Sequence, residues 1–173
     1  MRYLIVVDMQ NDFVTGSLGS KMAEMIVPAV CEKIRRYKAQ GSTVFMTLDT
    51  HFKDYLETPE GKKLPVEHCI KGTEGWQPET QVAEAIGGSA EVYEKSTFGS
   101  AELAQHLAEI TKAGDEIELC GLCTDICVVS NALLIKAFCP ECEVIVDANA
   151  CAGVTEGSHK AALVLSLIHI SEP

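Results

Sequence analysis

The stretch EIELCGLCTDICVVSNALLIKAF, residues 116–138, decides the fold class of this chain. It opens with a short, largely apolar run, Glu116–Cys120, which is typical of a parallel strand that is buried on both faces. A segment with the length and composition of a helix, Asp125–Phe138, follows after a short turn. A strand that leads through a turn into a helix is the repeating unit of parallel α/β sheets.

The same alternation continues in both directions from this stretch. Strands are predicted at Tyr3–Val7, Thr43–Thr47, Glu91–Tyr93 and Glu143–Val146, and helices at Lys21–Gln40, Glu79–Ile86, Ser100–Ala113 and from Thr155 onward. The segment Asp49–Pro78 is rich in Gly, Pro and charged residues and is predicted to be an ordered loop region. We therefore predict a single-domain, doubly wound (Rossmann-like), mostly parallel α/β sheet with helices on both faces.

Composition excludes several classes of function. Among 173 residues, 25 are acidic and 14 are basic, and the resulting net charge of −11 repels phosphate backbones, so we expect no nucleic-acid partner. No apolar run is long enough to span a bilayer, and we expect no membrane partner. Asp8 interrupts the N-terminal apolar run and no cleavage site follows, which predicts a cytoplasmic protein with reduced cysteines.

The last nine residues, LSLIHISEP at positions 165–173, resemble a translated adapter of transposon-based sequencing libraries. We predict that the domain spans residues 1–164 and that residues 165–173 are read-through of such an adapter. The alternative is a natural short strand that ends in a tail. No function is assigned to His169.

Reactive side chains gather directly after the predicted strands, where open parallel sheets bind their ligands. Asp8 follows the first strand, Lys95 the third and Cys127 the fourth. Cys127 falls in the first turn of a helix with Thr124 or Asp125 as its N-cap, where the helix dipole favours a nucleophilic thiolate. Burial of Asp8 would raise its pKa and make it a general base. Each residue also has a purely structural alternative. Cys127 could be a small buried side chain, Asp8 a turn former and Lys95 a solvated surface lysine.

Two histidines and two carboxylates form a candidate metal site. Asp49 and His51 lie on the same side of an extended chain, and His68 follows in the same loop region with Glu60 between them. One carboxylate and two imidazoles suit Zn²⁺, Fe²⁺ or Mn²⁺. The alternative for Asp49 and His51 is a local hydrogen bond.

A second metal pattern comes from two cysteine pairs. Cys120-x-x-Cys123 and Cys139-x-x-Cys142 are separated by 15 residues, which is a spacing of four-cysteine zinc ribbons. The residues between them are predicted to form a helix about 20 Å long, so the two pairs lie at opposite ends of it. Four sulfur atoms cannot then reach one ion at ~2.3 Å, and we reject this site.

These motifs together resemble the isochorismatase-like cysteine hydrolase superfamily, and within it the nicotinamidase (nicotinamidase/pyrazinamidase) branch. The segments that carry the resemblance are VVDMQNDF around Asp8, DTH at 49–51, EHC around His68, EKSTFGS around Lys95 and GLCTDICV around Cys127. They occur in consistent order between residue 3 and about residue 164.

The resemblance implies hydrolysis of nicotinamide to nicotinate and ammonia through a cysteine thioester, a reaction of NAD salvage. It implies a set of site residues: the catalytic triad Asp8, Lys95 and Cys127, an oxyanion hole from the backbone N–H groups of Cys123 and Cys127, and one divalent transition metal ion (Zn, Fe or Mn) on Asp49, His51 and His68, with Glu60 as a further candidate ligand. It also implies a non-proline cis peptide at Leu122–Cys123.

The chain departs from the nicotinamidase pattern in two respects. These enzymes often carry an aromatic residue just before the metal histidine, and the segment 64–67 has none, so Phe13 is the main candidate to stack on the substrate and Leu122 a further substrate contact. Trp76 follows His68 and is not given that role. The family also ends in a strand after the last helix, and we expect that strand to be missing.

Other functions remain open at this point. One is a related cysteine hydrolase that acts on another small amide, ureide or carbamoyl compound. Another is a catalytically silent relative that binds ligands or senses oxidants through its thiols. Family members often form homo-oligomers, and no surface pattern of the sequence decides this.

Overall fold

Five parallel strands form one open sheet in the computed structural model, which describes residues 1–167. The strands are β1 (Arg2–Val7), β2 (Thr43–Asp49), β3 (Glu91–Lys95), β4 (Glu116–Leu122) and β5 (Glu143–Ala152). Their order across the sheet is β3-β2-β1-β4-β5, and every neighbouring pair is parallel. The predicted single-domain, doubly wound α/β fold is confirmed.

Helices connect the strands and cover the sheet. They are α1 (Asn11–Val14), α2 (Lys21–Ala39), α3 (Thr80–Ile86), α4 (Ala101–Ile110), α5 (Val129–Phe138) and α6 (Glu156–Leu167). Because parallel crossovers are right-handed, the helices that lead from β1 outward to β3 cover one face, and those after β3 cover the other. Accordingly α2 packs on α3, and α5 packs on both α4 and α6.

The topological switch point of the sheet lies between the neighbouring strands β1 and β4. The strands β2 and β3 follow on one side of β1, whereas β4 and β5 lie on the other. At such a switch point the loops after the two central strands diverge and leave a crevice at the carboxyl end of the sheet. The residues that follow β1 and β4 therefore face each other across this crevice.

Four strands end later than predicted. Strand β2 continues to Asp49 and β3 to Lys95, and these two residues are register partners. Strand β4 continues to Leu122, and β5 to Ala152 across an irregularity in which Leu119 pairs with Val146 but Gly121 pairs with Cys151. The polar side chains of Asp49 and Lys95 are buried at the carboxyl edge of the sheet rather than placed in solvent-exposed turns.

The predicted helix bounds hold to within one residue, except at the start of α5 and the end of α4. Ser100 caps α4 by accepting a hydrogen bond from the N–H of Leu103, as expected. Helix α4 ends at Ile110 instead of Ala113. The short helix α1 was not predicted, and the segment 50–78 contains only one 3₁₀ turn, Tyr55–Glu57.

The C-terminal expectations lie mostly outside the described residues. Helix α6 continues to Leu167 and so crosses the predicted boundary at residue 164. Residues 168–173, where the tail and the missing strand were expected, are outside the described part of the chain. None of the helices within residues 1–167 has both the length and the apolar character needed to cross a membrane.

A buried ion-pair cluster ties helix α2 to the sheet. The Lys33 ammonium, 5% exposed, lies 2.5 Å from the carboxylates of both Glu118 on β4 and Asp147 on β5. Tyr37 donates its hydroxyl to Glu118 as well. Burial works against the charge of Lys33, but the hydrogen bonds to the two carboxylates leave its pKa above the usual value.

We predict that Lys33→Met lowers the free energy of unfolding by about 3–5 kcal/mol, because it removes the buried ammonium group that lies between the buried carboxylate of Glu118 and the partly buried carboxylate of Asp147. Urea denaturation followed by circular dichroism measures the change. The control is Lys21→Met, which removes an exposed pair with Glu24 and should cost less than about 1 kcal/mol. Equal effects of the two substitutions would contradict the prediction.

Candidate active site

A cavity of about 580 Å³ opens at the switch point of the sheet. Its wall includes Cys127 on one side and Asp49, Glu60 and His68 on the other. The remaining wall is mostly apolar, with Phe13, Leu64, Phe98, Leu122, Ile126 and Val154 among its residues. A small ligand with an apolar body and a polar end fits such a cavity.

Asp8 is held in place by the neighbouring strand β2. It directly follows β1, its φ is +48°, and its N–H donates to the Thr47 carbonyl at 3.1 Å. The Thr47 hydroxyl donates to one carboxylate oxygen at 2.6 Å, and the Lys95 Nζ lies 2.6 Å from the other. Complete burial raises the pKa of Asp8, while Lys95 and Thr47 partly offset that effect. The direction agrees with the expectation for a general base.

Lys95 joins the two halves of the site. Its buried ammonium lies 2.6 Å from Asp8, 3.3 Å from Asp49 and 3.4 Å from the sulfur of Cys127. Burial alone would lower the pKa of Lys95, but the negative charges of Asp8 and Asp49 outweigh it and raise that pKa. The lysine is therefore a permanent cation inside the protein.

Cys127 lies in a π-helical turn, Thr124–Val128, that precedes α5. The carbonyl of Cys123 accepts hydrogen bonds from the N–H groups of Ile126 and Val128 and closes this turn. The preceding Leu122–Cys123 peptide bond is cis, as the resemblance implied.

The predicted cap of this helix is wrong. No side chain caps the turn, because both candidates bond elsewhere. The Thr124 hydroxyl hydrogen-bonds to Nδ1 of His159, and the Asp125 carboxylate accepts from the N–H of Val154. These bonds hold the segment around residue 154 and helix α6 against the wall of the cavity.

Burial and the nearby carboxylate of Asp8 raise the pKa of Cys127 well above its usual value, and the charge of Lys95 does not compensate. Burial therefore opposes the thiolate that the start of a helix was expected to favour at this position.

The candidate metal ligands converge on one point. Asp49 Oδ2 lies 2.9 Å from His51 Nε2 and 3.5 Å from His68 Nε2, and the ligand atoms of the three residues are all within 4.8 Å of one another. Glu60 Oε1 is 3.8 Å from His51 Nε2 and 3.9 Å from His68 Nε2. Within residues 1–167, no other group of three such side chains is arranged to hold a metal ion.

The chemistry of these donors fits a metal ion. The Nδ1 of His68 lies 2.8 Å from the Val66 carbonyl, which can only accept, so Nε2 presents a lone pair toward the cluster. His51 Nε2 is buried and has no well-oriented hydrogen-bond partner, although Asp49 is close. Burial opposes ionisation of Asp49, but the adjacent side chains of His51 and His68 and the charge of Lys95 hold its pKa below the usual range.

Two side chains near the N-terminus anchor the loop region that carries these ligands. The Gln10 amide accepts from the N–H of Asp49 and donates to the carbonyls of Asp49 and Trp76. Asp12 accepts from the N–H of Cys69 at 2.8 Å. The indole of Trp76 donates to the hydroxyl of Thr50, so it takes part in this anchoring.

The expected substrate contacts Phe13 and Leu122 both line the cavity, and the ring of Phe13 lies 5.5 Å from that of His68. The rejected four-cysteine site is absent from residues 1–167.

Comparison with known proteins identifies the family to which the chain belongs. A family model described as "Isochorismatase domain" matches residues 2–166. The chain belongs to this family. It is similar to the isochorismatase family protein PncA of Bacillus subtilis, at 29% identity over 178 aligned positions that cover 92% of this chain and 91% of that protein.

Solved structures of isochorismatase-family enzymes share the fold. The nicotinamidase/pyrazinamidase PncA from Bacillus subtilis superposes with a TM-score of 0.86 at 26% identity, over 99% of this chain and 98% of that one. The pyrazinamidase of Pyrococcus horikoshii, solved in complex with zinc, gives a TM-score of 0.83 at 26% identity over 99% and 98% of the two chains. This isochorismatase-family chain is therefore related to amide-hydrolysing enzymes.

Sequence reasoning missed Asn131, which links the two sides of the cavity wall. Its buried side chain accepts from the N–H of Ser100 and donates to the carbonyls of Phe98 and Cys127. The segment after Lys95 is thereby joined to the turn that carries Cys127. A polar residue in an otherwise apolar helix was the one available signal.

We predict that Asn131→Ala lowers the free energy of unfolding by about 2–4 kcal/mol, because three backbone groups lose their buried partner. Hydrogen exchange should also become faster at the amide of Ser100. Asn149→Ala, at an exposed position of β5, is the control and should change stability by less than about 0.5 kcal/mol. Unchanged exchange at Ser100 would rule out the anchoring role.

Proposed function

We propose that this isochorismatase-family chain is a nicotinamidase-type amidohydrolase that converts nicotinamide to nicotinate and ammonia. The observation that carries the proposal is the meeting of two groups of residues in one cavity. The thiol of Cys127 lies beside the Lys95–Asp8 ion pair, and Asp49 and His68 of the candidate metal cluster line the same cavity as Cys127. Similarity to a nicotinamidase/pyrazinamidase of known structure supports it.

Proton transfer from Cys127 to Asp8 begins the proposed reaction. Both groups have raised pKa values, so the thiol stays protonated until a substrate carbonyl arrives and the carboxylate is basic enough to take its proton. Lys95 touches both groups and stabilises negative charge on whichever of them carries it. The role of the lysine is electrostatic.

The thiolate of Cys127 then attacks the carboxamide carbon. The backbone N–H groups of Cys123 and Cys127 stabilise the developing oxyanion, an effect worth about 3 kcal/mol per donor in other enzymes. The C–N bond breaks, Asp8 returns the proton to the departing ammonia, and a thioester remains on Cys127. Water hydrolyses the thioester and restores the thiol and the carboxylic acid product.

A divalent transition metal ion completes the proposed site. Asp49, His51 and His68 hold it, with Glu60 near enough to contribute, and zinc, iron and manganese all suit this donor set. When bound, the ion supplies a Lewis-acidic position for the pyridine nitrogen of the substrate. Phe13, next to His68, and Leu122 contact the ring. The zinc complex of a related pyrazinamidase supports the choice of metal class.

Replacing the nucleophile tests the reaction. We predict that Cys127→Ala and Asp8→Asn each reduce ammonia release from nicotinamide by more than about 10³-fold, while far-UV circular dichroism stays unchanged. Cys31→Ala, a buried cysteine of α2 that lies outside the cavity wall, is the matched control and should keep activity within about 2-fold. Substantial turnover by folded Cys127→Ala would exclude the thioester route.

Removing the metal tests the second half of the site. We predict that chelator-treated protein binds about one Zn²⁺ per chain, measured by equilibrium dialysis and elemental analysis, and that His51→Ala loses this binding. His106→Ala, at a histidine outside the cluster, should bind as the parent chain does. Ammonia release should disappear on chelation and return with Zn²⁺, Fe²⁺ or Mn²⁺. No release from folded, metal-loaded protein would direct the search to other small amides.

A further inference from the structure

The segment Cys139-Pro140-Glu141-Cys142, between α5 and β5, is closed into a tight turn. The N–H of Cys142 donates to the carbonyl of Cys139 at 3.1 Å. A turn closed by this bond brings its first and fourth Cα atoms within about 7 Å of each other. Disulfides span Cα separations of about 4.4–6.8 Å, so the backbone of this turn suits one.

The two thiols of this turn influence each other electrostatically. Burial raises the pKa of Cys139, and the neighbouring thiol of Cys142 adds to that effect. The sulfur of Cys142 lies 3.5 Å from the carbonyl of Lys112. Because the turn already holds the backbone of the two cysteines close together, a disulfide between them requires little movement of the backbone.

Neighbouring groups fix the turn from outside. Lys136 donates to the carbonyls of Pro140 and Cys142 at 2.9 and 2.8 Å, and the N–H of Gly114 donates to the carbonyl of Glu141. The two cysteines are each 4% exposed, but Phe138, Pro140, Glu141 and Glu143 beside them are exposed. The thiol pair thus lies at the edge of the hydrophobic core, covered by residues that are themselves exposed.

A metal site is a poorer explanation of this pair. Two thiols supply half of the ligands that a structural zinc ion needs. Across residues 1–167, no third histidine, cysteine or carboxylate joins them in a metal-binding arrangement. A disulfide, by contrast, requires only the two sulfur atoms of this pair.

The other Cys-x-x-Cys pair provides a contrast within the same chain. Cys120 lies in strand β4, which stays extended to Leu122, and extended chain rises about 3.3 Å per residue. Cys120 is buried near Lys33 and Glu118, whereas Cys123 lines the cavity near Asp8. The same spacing in sequence therefore does not bring these two thiols together.

We propose that Cys139 and Cys142 form a reversible dithiol–disulfide couple that exchanges with small-molecule disulfides of the glutathione type. One cysteine thiolate attacks the small disulfide, forms a mixed disulfide and releases one small thiol. The other cysteine then attacks the protein sulfur of that mixed disulfide, closes the Cys139–Cys142 bond and releases the second small thiol. The protein loses two electrons and two protons, and one small disulfide becomes two small thiols.

This couple is separate from the proposed active site. Helix α5 begins just after Cys127 and ends just before Cys139, and its ten residues span about 15 Å. The disulfide would close the turn without touching the cavity. The inference therefore stands or falls independently of the amidase proposal.

Equilibration with defined ratios of reduced and oxidised glutathione tests the couple. The full chain is incubated anaerobically, quenched with acid, alkylated with N-ethylmaleimide and digested with a glutamate-specific protease. This protease cleaves after Glu141, so a Cys139–Cys142 bond appears in mass spectra as two linked peptides. We expect the linked form to increase with the proportion of oxidised glutathione and to disappear on treatment with dithiothreitol.

Variants separate the couple from other thiol chemistry. Cys139→Ser and Cys142→Ser should each abolish the linked peptides, whereas Cys123→Ser, from the other pair, should leave them unchanged. Two results would overturn the proposal. One is that Cys139 and Cys142 are still recovered as alkylated thiols, or carry only glutathione, at a glutathione ratio at which Cys127 is already modified. The other is a disulfide that joins Cys120 to Cys151 in place of this pair.

Discussion

The ammonium group of Lys95, which is 4% exposed, needs negative partners because an unpaired charge in the protein interior is very costly. Asp8 and Asp49 supply them, and they lie at the ends of two different strands. This requirement fixes β1, β2 and β3 in a register that ends at the same level. The Asp49–Lys95 register pair is the direct expression of that constraint. The sulfur of Cys127 approaches the same cation from the turn after β4, so residues at or just after the ends of four of the five strands meet at one charge.

The two carboxylates around Lys95 have opposite properties. Burial dominates at Asp8 and raises its pKa, whereas the adjacent side chains of His51 and His68 help to hold the pKa of Asp49 low. The first carboxylate is suited to exchange protons and the second to stay ionised as a metal ligand. One lysine can therefore serve a proton-transfer site and a metal site at once. The apolar wall between them leaves room for a small amide.

Several parts of the fold and site follow from local sequence. The alternation of apolar strands and helices predicted the doubly wound sheet, because parallel strands buried on both faces leave an unmistakable apolar pattern. The rule that ligands bind beyond the carboxyl ends of strands selected Asp8, Lys95 and Cys127. The structure brings these three together. Strand ends were misjudged at Asp49 and Lys95, since a polar residue that continues a strand looks like a turn until its buried partner is known.

Local sequence is enough to predict the fold class, the residue types at the carboxyl edge of the sheet and the Asp-His-His set. The burial that raises the pKa of Cys127, the failure of Thr124 and Asp125 as caps, and the linking role of Asn131 become visible only in the folded chain. It also decided that one Cys-x-x-Cys pair meets in a turn while the other is drawn apart along a strand. This division follows from the distance along the chain over which each kind of interaction acts. Propensity and periodicity act within a few residues, whereas burial and buried hydrogen bonds depend on partners far away in the chain.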